Sequence, residues 1–136
     1  MSVLAVIDTN VLVSAMLSKH VDAATVQIVD KVFCGEIVPL ISEKIMAEYE
    51  EVLHRPKFRF PEEIICRLLG SVRQNGIDID PIMTGEVLPD PKDLVFYEVA
   101  MTKQDESAYL VTGNLKHFPI KSFIVTPSEM LNILSK

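Results

Sequence analysis

Short apolar runs alternate with amphipathic stretches along this chain. The first run covers residues 3–7 and is apolar at every position, which is typical of a strand buried on both faces of a parallel sheet. Three further runs predict strands at 37–41, 108–111 and 123–125. Between the runs, apolar residues recur at helical spacing. Strands that alternate with helices predict an α/β fold built on a parallel sheet.

Capping and breaking residues set the predicted helix ends. Asp90-Pro91-Lys92-Asp93 and Thr126-Pro127-Ser128-Glu129 each place a capping residue before Pro and an acid at the third helical position, which is a strong helix start. Gly35 and Asn75-Gly76 are stop signals. Six helices are predicted. The first begins at Thr9, the second spans about Asp22 to Phe33, and the third follows Ser42 and ends before Pro56. The fourth spans Pro61 to about Arg73, the fifth covers Leu94 to Met101, and the sixth covers Met130 to Leu134.

Length and composition fit one folded domain over residues 1–136. The 136 residues lie within the usual range of ~100–200 for a single domain. Hydrophobic residues make up 49% and charged residues 24%, and no low-complexity tract or run of like charge occurs. The whole chain is therefore predicted to fold without a disulfide or a structural metal.

Charge and cysteine usage narrow the function classes. A net charge of −6 argues against a nucleic-acid binder that relies on overall positive charge. A nucleic-acid binder with a local basic groove remains a possible class. Cys34 and Cys66 have apolar neighbours and no CxxC spacing, so we expect buried thiols in a reducing compartment. Apolar stretches fall short of the ~18 residues of a membrane span, and no signal peptide is apparent, so we expect a cytoplasmic protein without a membrane partner.

Polar residues directly after the strands are the first candidates for chemistry, because ligands of parallel sheets bind at the carboxyl ends of the strands. Asp8 and Asn10 follow the first strand, and Thr112 and Asn114 follow the strand that ends at Val111. These residues are predicted to share one edge of the sheet.

Two further acids, Glu48 within a helix and Asp93 at a helix start, can converge with Asp8. At ~4 Å and an effective dielectric constant of ~20, each carboxylate pair costs about 4 kcal/mol, so such a cluster needs a cation or protonation. An all-oxygen site suits Mg²⁺ or Mn²⁺, which serve phosphate chemistry. The histidines lack zinc-binding spacing.

Four segments in this order resemble the PIN-domain family. They are similar above all to the prokaryotic PIN proteins assigned as toxins of toxin–antitoxin pairs, related to the VapC group. The resemblance runs from about Val3 to Leu134. The segments are Val6-Ile7-Asp8-Thr9-Asn10-Val11-Leu12, Ser42 followed by Glu48, Asp90-Pro91-Lys92-Asp93, and Val111-Thr112-Gly113-Asn114.

The resemblance implies a metal-dependent endoribonuclease with a three-layer α/β/α sandwich around a central parallel sheet. It further implies Mg²⁺ or Mn²⁺ as cofactor, RNA as substrate, a cognate antitoxin as partner, and a homodimer. Apolar helices, such as the one from Glu62 to Leu69, are candidates for the dimer surface, with no particular face indicated. Carried over by position, the catalytic and metal-binding acids are Asp8, Glu48 and Asp93, and the residues that shape the site are Thr9, Asn10, Thr112 and Asn114.

The chain departs from the family at Asn114, where the family often has a fourth acid. Asn offers a carbonyl oxygen but no charge, so a second metal ion would be held more weakly. Asp105 and Glu106 precede the following strand at its opposite end, so neither is expected to replace that acid.

Other interpretations remain open at this point. Asp8 fits the role of a simple helix cap, and Thr112 with Asn114 fits a turn. The cations Arg55, Lys57 and Arg59 fit RNA contacts, or a solvated loop.

The alternative function is a catalytically weakened PIN-like module that binds RNA or a partner, which Asn114 favours. An aspartyl-phosphate enzyme or receiver domain is disfavoured, since position 10 carries Asn where the dehalogenase pattern needs a second Asp.

Overall fold

A computed structural model, which describes residues 2–136, shows one five-stranded sheet in which every strand pair is parallel. The strand order is β3-β2-β1-β4-β5. The strands are β1 (Val3–Ile7), β2 (Ile37–Ile41), β3 (Ile77–Asp78), β4 (Tyr109–Val111) and β5 (Ile124–Val125). The helices are α1 (Thr9–Leu17), α2 (Ala24–Cys34), α3 (Glu43–Leu53), α4 (Glu62–Asn75), α5 (Leu94–Thr102) and α6 (Pro127–Leu134), with 3₁₀ turns at Pro91–Asp93, Gln104–Glu106 and Leu115–His117.

The central strand β1 is where the strand order changes direction. It pairs with β2 on one side, with Val3 opposite Ile37, and with β4 on the other, with Ile7 opposite Val111. The Asp8 amide extends the second ladder by donating to the Val111 carbonyl at 2.9 Å. A strand with neighbours reached by crossovers in opposite directions leaves a crevice at its carboxyl end, which here begins at Asp8.

Helices cover the sheet on both faces and confirm the predicted three-layer α/β/α sandwich. Helix α5 packs against β1, β2 and β4, whereas α2 and α4 pack against β2 and against each other. The core between the layers is formed by side chains that are almost fully buried, among them Ala5, Val6, Ile28, Leu40, Leu68, Val99 and Leu110.

The four strands predicted from the apolar runs are confirmed, each to within one residue. The fifth, β3, was not predicted because it is only two residues long and lies at the sheet edge, paired with Leu40 and Ile41. Its signal was the alternation of Ile and Asp over residues 77–80, a period of two that is typical of a half-exposed strand. Only Ile79 of this stretch is buried.

Two glycines end helices for different reasons. Gly35 follows α2 in the left-handed conformation, with φ of 88°, as expected for a terminating glycine. Gly76 has an ordinary φ of −89°, but a Cβ there would lie 2.5 Å from the Val72 carbonyl oxygen and 2.8 Å from that of Pro39. Gly76 is therefore required by the close approach of α4 to β2.

The prediction that both cysteines are buried is wrong, because Cys34 and Cys66 are exposed. Cys34 is the last residue of α2. Cys66 lies on α4 one position after the buried Ile65, where its thiol donates to Glu62 Oε1 at 3.4 Å. Apolar sequence neighbours did not predict burial, because neighbours on a helix point in different directions.

Helix α4 uses most of its apolar face inside the monomer. Ile65, Leu68 and Leu69 are buried in the core, and Ile64 is the exposed apolar residue of the stretch from Glu62 to Leu69. The expected dimer surface on this helix is therefore largely occupied by the chain's own packing.

No helix within residues 2–136 is both long and apolar enough to cross a bilayer.

Tyr49 joins three elements at the carboxyl end of β1. Its hydroxyl donates a buried hydrogen bond to the carbonyl of Ile7, the last residue of the strand. Its ring meets that of Phe96 on α5, with centroids 6.1 Å apart and planes tilted by 50°. Because residue 48 precedes Tyr49 and residue 93 precedes α5, this contact brings both toward the end of β1.

We predict that Tyr49→Phe lowers the free energy of unfolding by about 1–3 kcal/mol, since it leaves a buried carbonyl without its side-chain donor. Urea denaturation measures the change. Tyr109→Phe is the matched control, because the Tyr109 hydroxyl makes no hydrogen bond to any described side chain or backbone group and the side chain is only partly buried. Equal stability of the two variants would contradict the prediction.

Candidate active site

The carboxylate of Asp8 is buried at the carboxyl end of the central strand, with 4% of the residue exposed. Its Oδ2 accepts two hydrogen bonds, from Asn10 Nδ2 at 2.9 Å and from Thr112 Oγ1 at 2.8 Å. Asp8 occupies the N-cap position of α1, yet its side chain makes no capping bond. The interpretation of Asp8 as a simple helix cap is therefore wrong. Its side chain is instead hydrogen-bonded to Asn10 and Thr112.

This environment raises the pKa of Asp8 from 3.8 to about 6. Burial is the largest cause, because an apolar environment disfavours the charged carboxylate. The negative charge of Asp93 raises the pKa further, and the hydrogen bonds from Thr112 and Asn10 oppose the shift. The net result is that the ionised form of Asp8 is energetically unfavourable in the folded protein.

Glu48 lies on α3 and is half-buried, and burial raises its pKa as well. The ammonium of Lys92 is the strongest opposing charge. The hydroxyl of Thr9 lies close enough to Glu48 to lower its pKa, and it is buried without a well-aligned hydrogen bond to any described group. A buried, unpaired hydroxyl beside a carboxylate is a free oxygen for a further ligand.

Asp93 enters the site from the turn before α5. Asp90 caps this turn, since its Oδ1 accepts from the Lys92 amide at 3.0 Å, as the sequence predicts. The Asp93 side chain is 14% exposed, makes no capping bond, and lies 3.2 Å from His117 Nδ1 through Oδ2. Burial, Asp90 and Glu48 raise the Asp93 pKa, whereas His117 lowers it.

The three predicted acids are therefore linked electrostatically through Asp93. Asp93 raises the pKa of Asp8, and Glu48 raises the pKa of Asp93. Within residues 2–136, however, no three acidic, His or Cys side chains already converge as a metal-binding group. Like charges favour separation, so the chain alone leaves the carboxylates spread around the crevice.

The donor set nevertheless fits a hard divalent cation. It offers three carboxylates of raised pKa and the unpaired hydroxyl of Thr9, all oxygen donors of the kind that Mg²⁺ and Mn²⁺ prefer. A cation among Asp8, Glu48 and Asp93 would offset their mutual repulsion.

The loop after β4 completes the crevice. Thr112 is fully buried, and its hydroxyl accepts from the Asn114 amide at 3.0 Å while donating to Asp8. The Gly113 amide donates to Asn10 Oδ1 at 3.2 Å. Asn10 and Thr112 thus join the ends of β1 and β4 through Asp8, which a turn alone would not require. Asn114 is exposed.

Two residues of the site were missed from the sequence. Lys92 belongs to the predicted helix start, and its charge also acts on Glu48. His117 is not among the predicted site residues, yet it contacts Asp93. The position of Lys92 beside Asp93 was the available signal, whereas the contact across 24 residues between His117 and Asp93 had no sequence signal.

The basic segment 55–59 is partly committed to contacts within the chain. Arg55 pairs with Glu51 at 2.9 Å and is also close enough to lower the Glu48 pKa. The Lys57 ammonium lies 5.1 Å from the centroid of the Phe58 ring. Lys57 and Arg59 are exposed.

A groove of about 1160 Å³ opens beside Glu48. It runs between the start of α3, the segment after β3 and the start of α5. Acidic side chains outnumber basic ones along its walls, and Lys44 and Lys92 are the cations among its lining residues. The acids that line it are Glu43, Glu48, Asp78, Asp80 and Glu98.

Comparison with known families agrees with this arrangement. Residues 4–116 match the family described as PIN domain, a span that contains Asp8, Glu48, Asp93 and Asn114. The chain belongs to the PIN-domain family. PIN domains are generally metal-dependent nucleases. The segment 117–136, which includes His117, lies outside the match. A search of curated proteins finds no significant match to the chain.

We predict that Asp8→Asn stabilises the metal-free protein at high pH. Because the folded-state pKa of Asp8 is raised, the folded state keeps a proton that the unfolded chain has lost between about pH 4 and 6. The wild type therefore loses stability as pH rises through this window. Asn stays neutral and still accepts hydrogen bonds, so the gain is absent near pH 4 and reaches about 3 kcal/mol above pH 6.

Chemical denaturation from pH 4 to 8 measures this difference. Asp105→Asn, which changes an exposed acid, serves as the control. A stability difference for Asp8→Asn that stays constant across the range would contradict a raised pKa at Asp8.

Proposed function

We propose that this protein is a divalent-metal-dependent endoribonuclease in which Asp8, Glu48 and Asp93 hold Mg²⁺ or Mn²⁺. One observation supports the proposal above all. Three carboxylates from distant segments lie around the crevice at the end of the central strand, and all three have raised pKa values. Neighbouring carboxylates of raised pKa do not stabilise a fold, so a charge-compensating function is the simplest reason for this arrangement.

Each residue of the chain has a distinct task in this proposal. A divalent cation at this site supplies positive charge for the scissile phosphate and acidifies water. Thr112 and Asn10 keep the Asp8 carboxylate in a fixed orientation. Glu48 holds the cation directly or through water, and orients the attacking water. Lys92, beside Glu48, attracts the phosphate into the crevice.

RNA is the proposed substrate, and its backbone is proposed to contact the basic segment 55–59. Arg55 is near enough to Glu48 to change its pKa, so this segment begins next to the crevice. Lys57 and Arg59 are exposed and free to meet phosphates. Local cations are needed here, because the net charge of −6 repels RNA elsewhere.

We further propose that the protein acts in the cytoplasm as the toxin of a toxin–antitoxin pair. The support is the sequence resemblance to prokaryotic PIN proteins of that kind. The partner would be a small antitoxin that blocks the crevice with a basic side chain, and the acid-rich groove beside Glu48 is complementary to such a segment. A homodimer is also proposed, through a surface other than the buried face of α4.

A second candidate function is a catalytically weakened module that binds RNA or a partner. Asn114 favours it, because this position lacks the fourth acid that the family often carries. Retention of Asp8, Glu48 and Asp93 favours the enzyme.

Cleavage of mixed single-stranded RNA tests the proposed reaction. We expect cleavage with Mn²⁺ or Mg²⁺ that EDTA abolishes. Removal of the charge in Asp8→Asn or Asp93→Asn is expected to lower the rate by about 10²-fold or more, in line with the loss of strong electrostatic stabilisation.

Asp105→Asn is the control for this assay, since Asp105 is exposed and lies at the opposite end of β4. A folded Asp8→Asn protein with full activity would contradict the proposed site. A folded wild type that binds RNA without cutting it would favour the weakened module.

We predict that Asn114→Asp strengthens cation binding. A new carboxylate ~4 Å from a divalent ion in water contributes about 2 kcal/mol before screening, so the Mn²⁺ dissociation constant is expected to fall by about tenfold. Asn114 is exposed, so the substitution has little effect on folding. Isothermal titration of Mn²⁺ measures the change. An unaltered or weaker affinity would place position 114 outside the site.

A further inference from the structure

The loop formed by residues 112–118 contacts two of the three acids through its side chains. At its start, the Thr112 hydroxyl donates to Asp8 Oδ2 at 2.8 Å. At its far end, His117 Nδ1 lies 3.2 Å from Asp93 Oδ2. One short loop therefore contacts carboxylates that come from the end of β1 and from the start of α5.

His117 is held firmly within this loop. It closes the 3₁₀ turn Leu115–His117, where its amide donates to the Asn114 carbonyl at 3.0 Å. The next residue, Phe118, is buried in the core and donates its amide to the Leu115 carbonyl at 3.1 Å. The imidazole thus projects from a backbone that is fixed on both sides.

Asp93 has no other side-chain partner in the described part of the chain. Its carboxylate makes no capping bond to α5, and the contact with His117 involves Oδ2 alone. The carboxylate is mostly buried, so it has few water molecules to restrain it. Without His117, rotation about the side-chain bonds of Asp93 would be limited only by packing.

We infer that His117 is a positioning residue that orients Asp93, with Nδ1–H donating to Oδ2 and Oδ1 left free for the cation. The inference rests on the proposed function, because it assigns Asp93 as a ligand. A hydrogen bond to one oxygen of a ligating carboxylate fixes its direction and typically contributes 10–100-fold to metal affinity. The role requires a hydrogen-bond donor at the Nδ1 position. It does not require a positive charge on the ring.

Three variants separate this role from a general effect on folding. His117→Ala removes the donor. His117→Asn keeps one, because the Asn Nδ2 takes roughly the place of the imidazole Nδ1. Lys116→Ala changes the exposed neighbour and serves as the control. Thermal unfolding of each variant establishes that it is folded.

Isothermal titration with Mn²⁺ alone, without RNA, is the first readout. We expect His117→Ala to weaken Mn²⁺ binding by about tenfold or more, and His117→Asn to restore most of the loss. Lys116→Ala is expected to match the wild type. Equal affinities of His117→Ala and wild type would overturn the inference, as would a His117→Asn variant no better than His117→Ala.

Crystal structures of the wild type and His117→Ala give a second readout that needs no metal. We expect the Asp93 carboxylate to rotate in His117→Ala and to keep its direction in His117→Asn. An unchanged Asp93 in His117→Ala would overturn the inference. A wild type that binds no Mn²⁺ would contradict the proposed function, and the Asp93 orientation would still decide whether His117 positions it.

Discussion

The burial of one carboxylate, that of Asp8, governs the arrangement around it. A buried carboxylate is unfavourable unless hydrogen bonds or a positive charge compensate it. The chain provides Thr112 and Asn10 as donors, yet the pKa still rises to about 6. The compensation is thus incomplete, and Asp93 adds further negative charge. The site is destabilising as it stands, which is the expected state of a pocket that acts on a cation.

The parallel sheet makes this convergence possible. Because β1 has neighbours on both sides, its carboxyl end receives the loop after β4 and the helices that cover the adjacent strands. Tyr49 fixes α3 to the end of β1 and packs against α5, so residues 48 and 93 approach Asp8 from different elements. Packing of the core and placement of the acids consequently depend on each other, since the contact between the Tyr49 and Phe96 rings supports both.

Local signals in the sequence predicted most of the fold and the acids of the site. Apolar runs, caps and Pro positions predicted four strands and six helices, because burial and helix termini are determined by short segments. Edge strand β3 was too short for such a signal, and Cys66 was misplaced because exposure depends on the helix face. The contact of His117 with Asp93 joins residues that only the folded chain brings together. The order of the motifs along the chain was enough to predict the three acids. Their electrostatic coupling became visible only in the structure.

Asp8, Glu48 and Asp93 are proposed to form one cation site. Anomalous diffraction from crystals soaked in Mn²⁺, collected at the manganese edge, tests this proposal most directly. We predict one strong peak between the three side chains, with carboxylate oxygens of Asp8 and Asp93 about 2.1 Å away, as is usual for small divalent ions. A peak elsewhere on the molecule, or no peak in crystals of a protein that cleaves RNA with Mn²⁺, would contradict it.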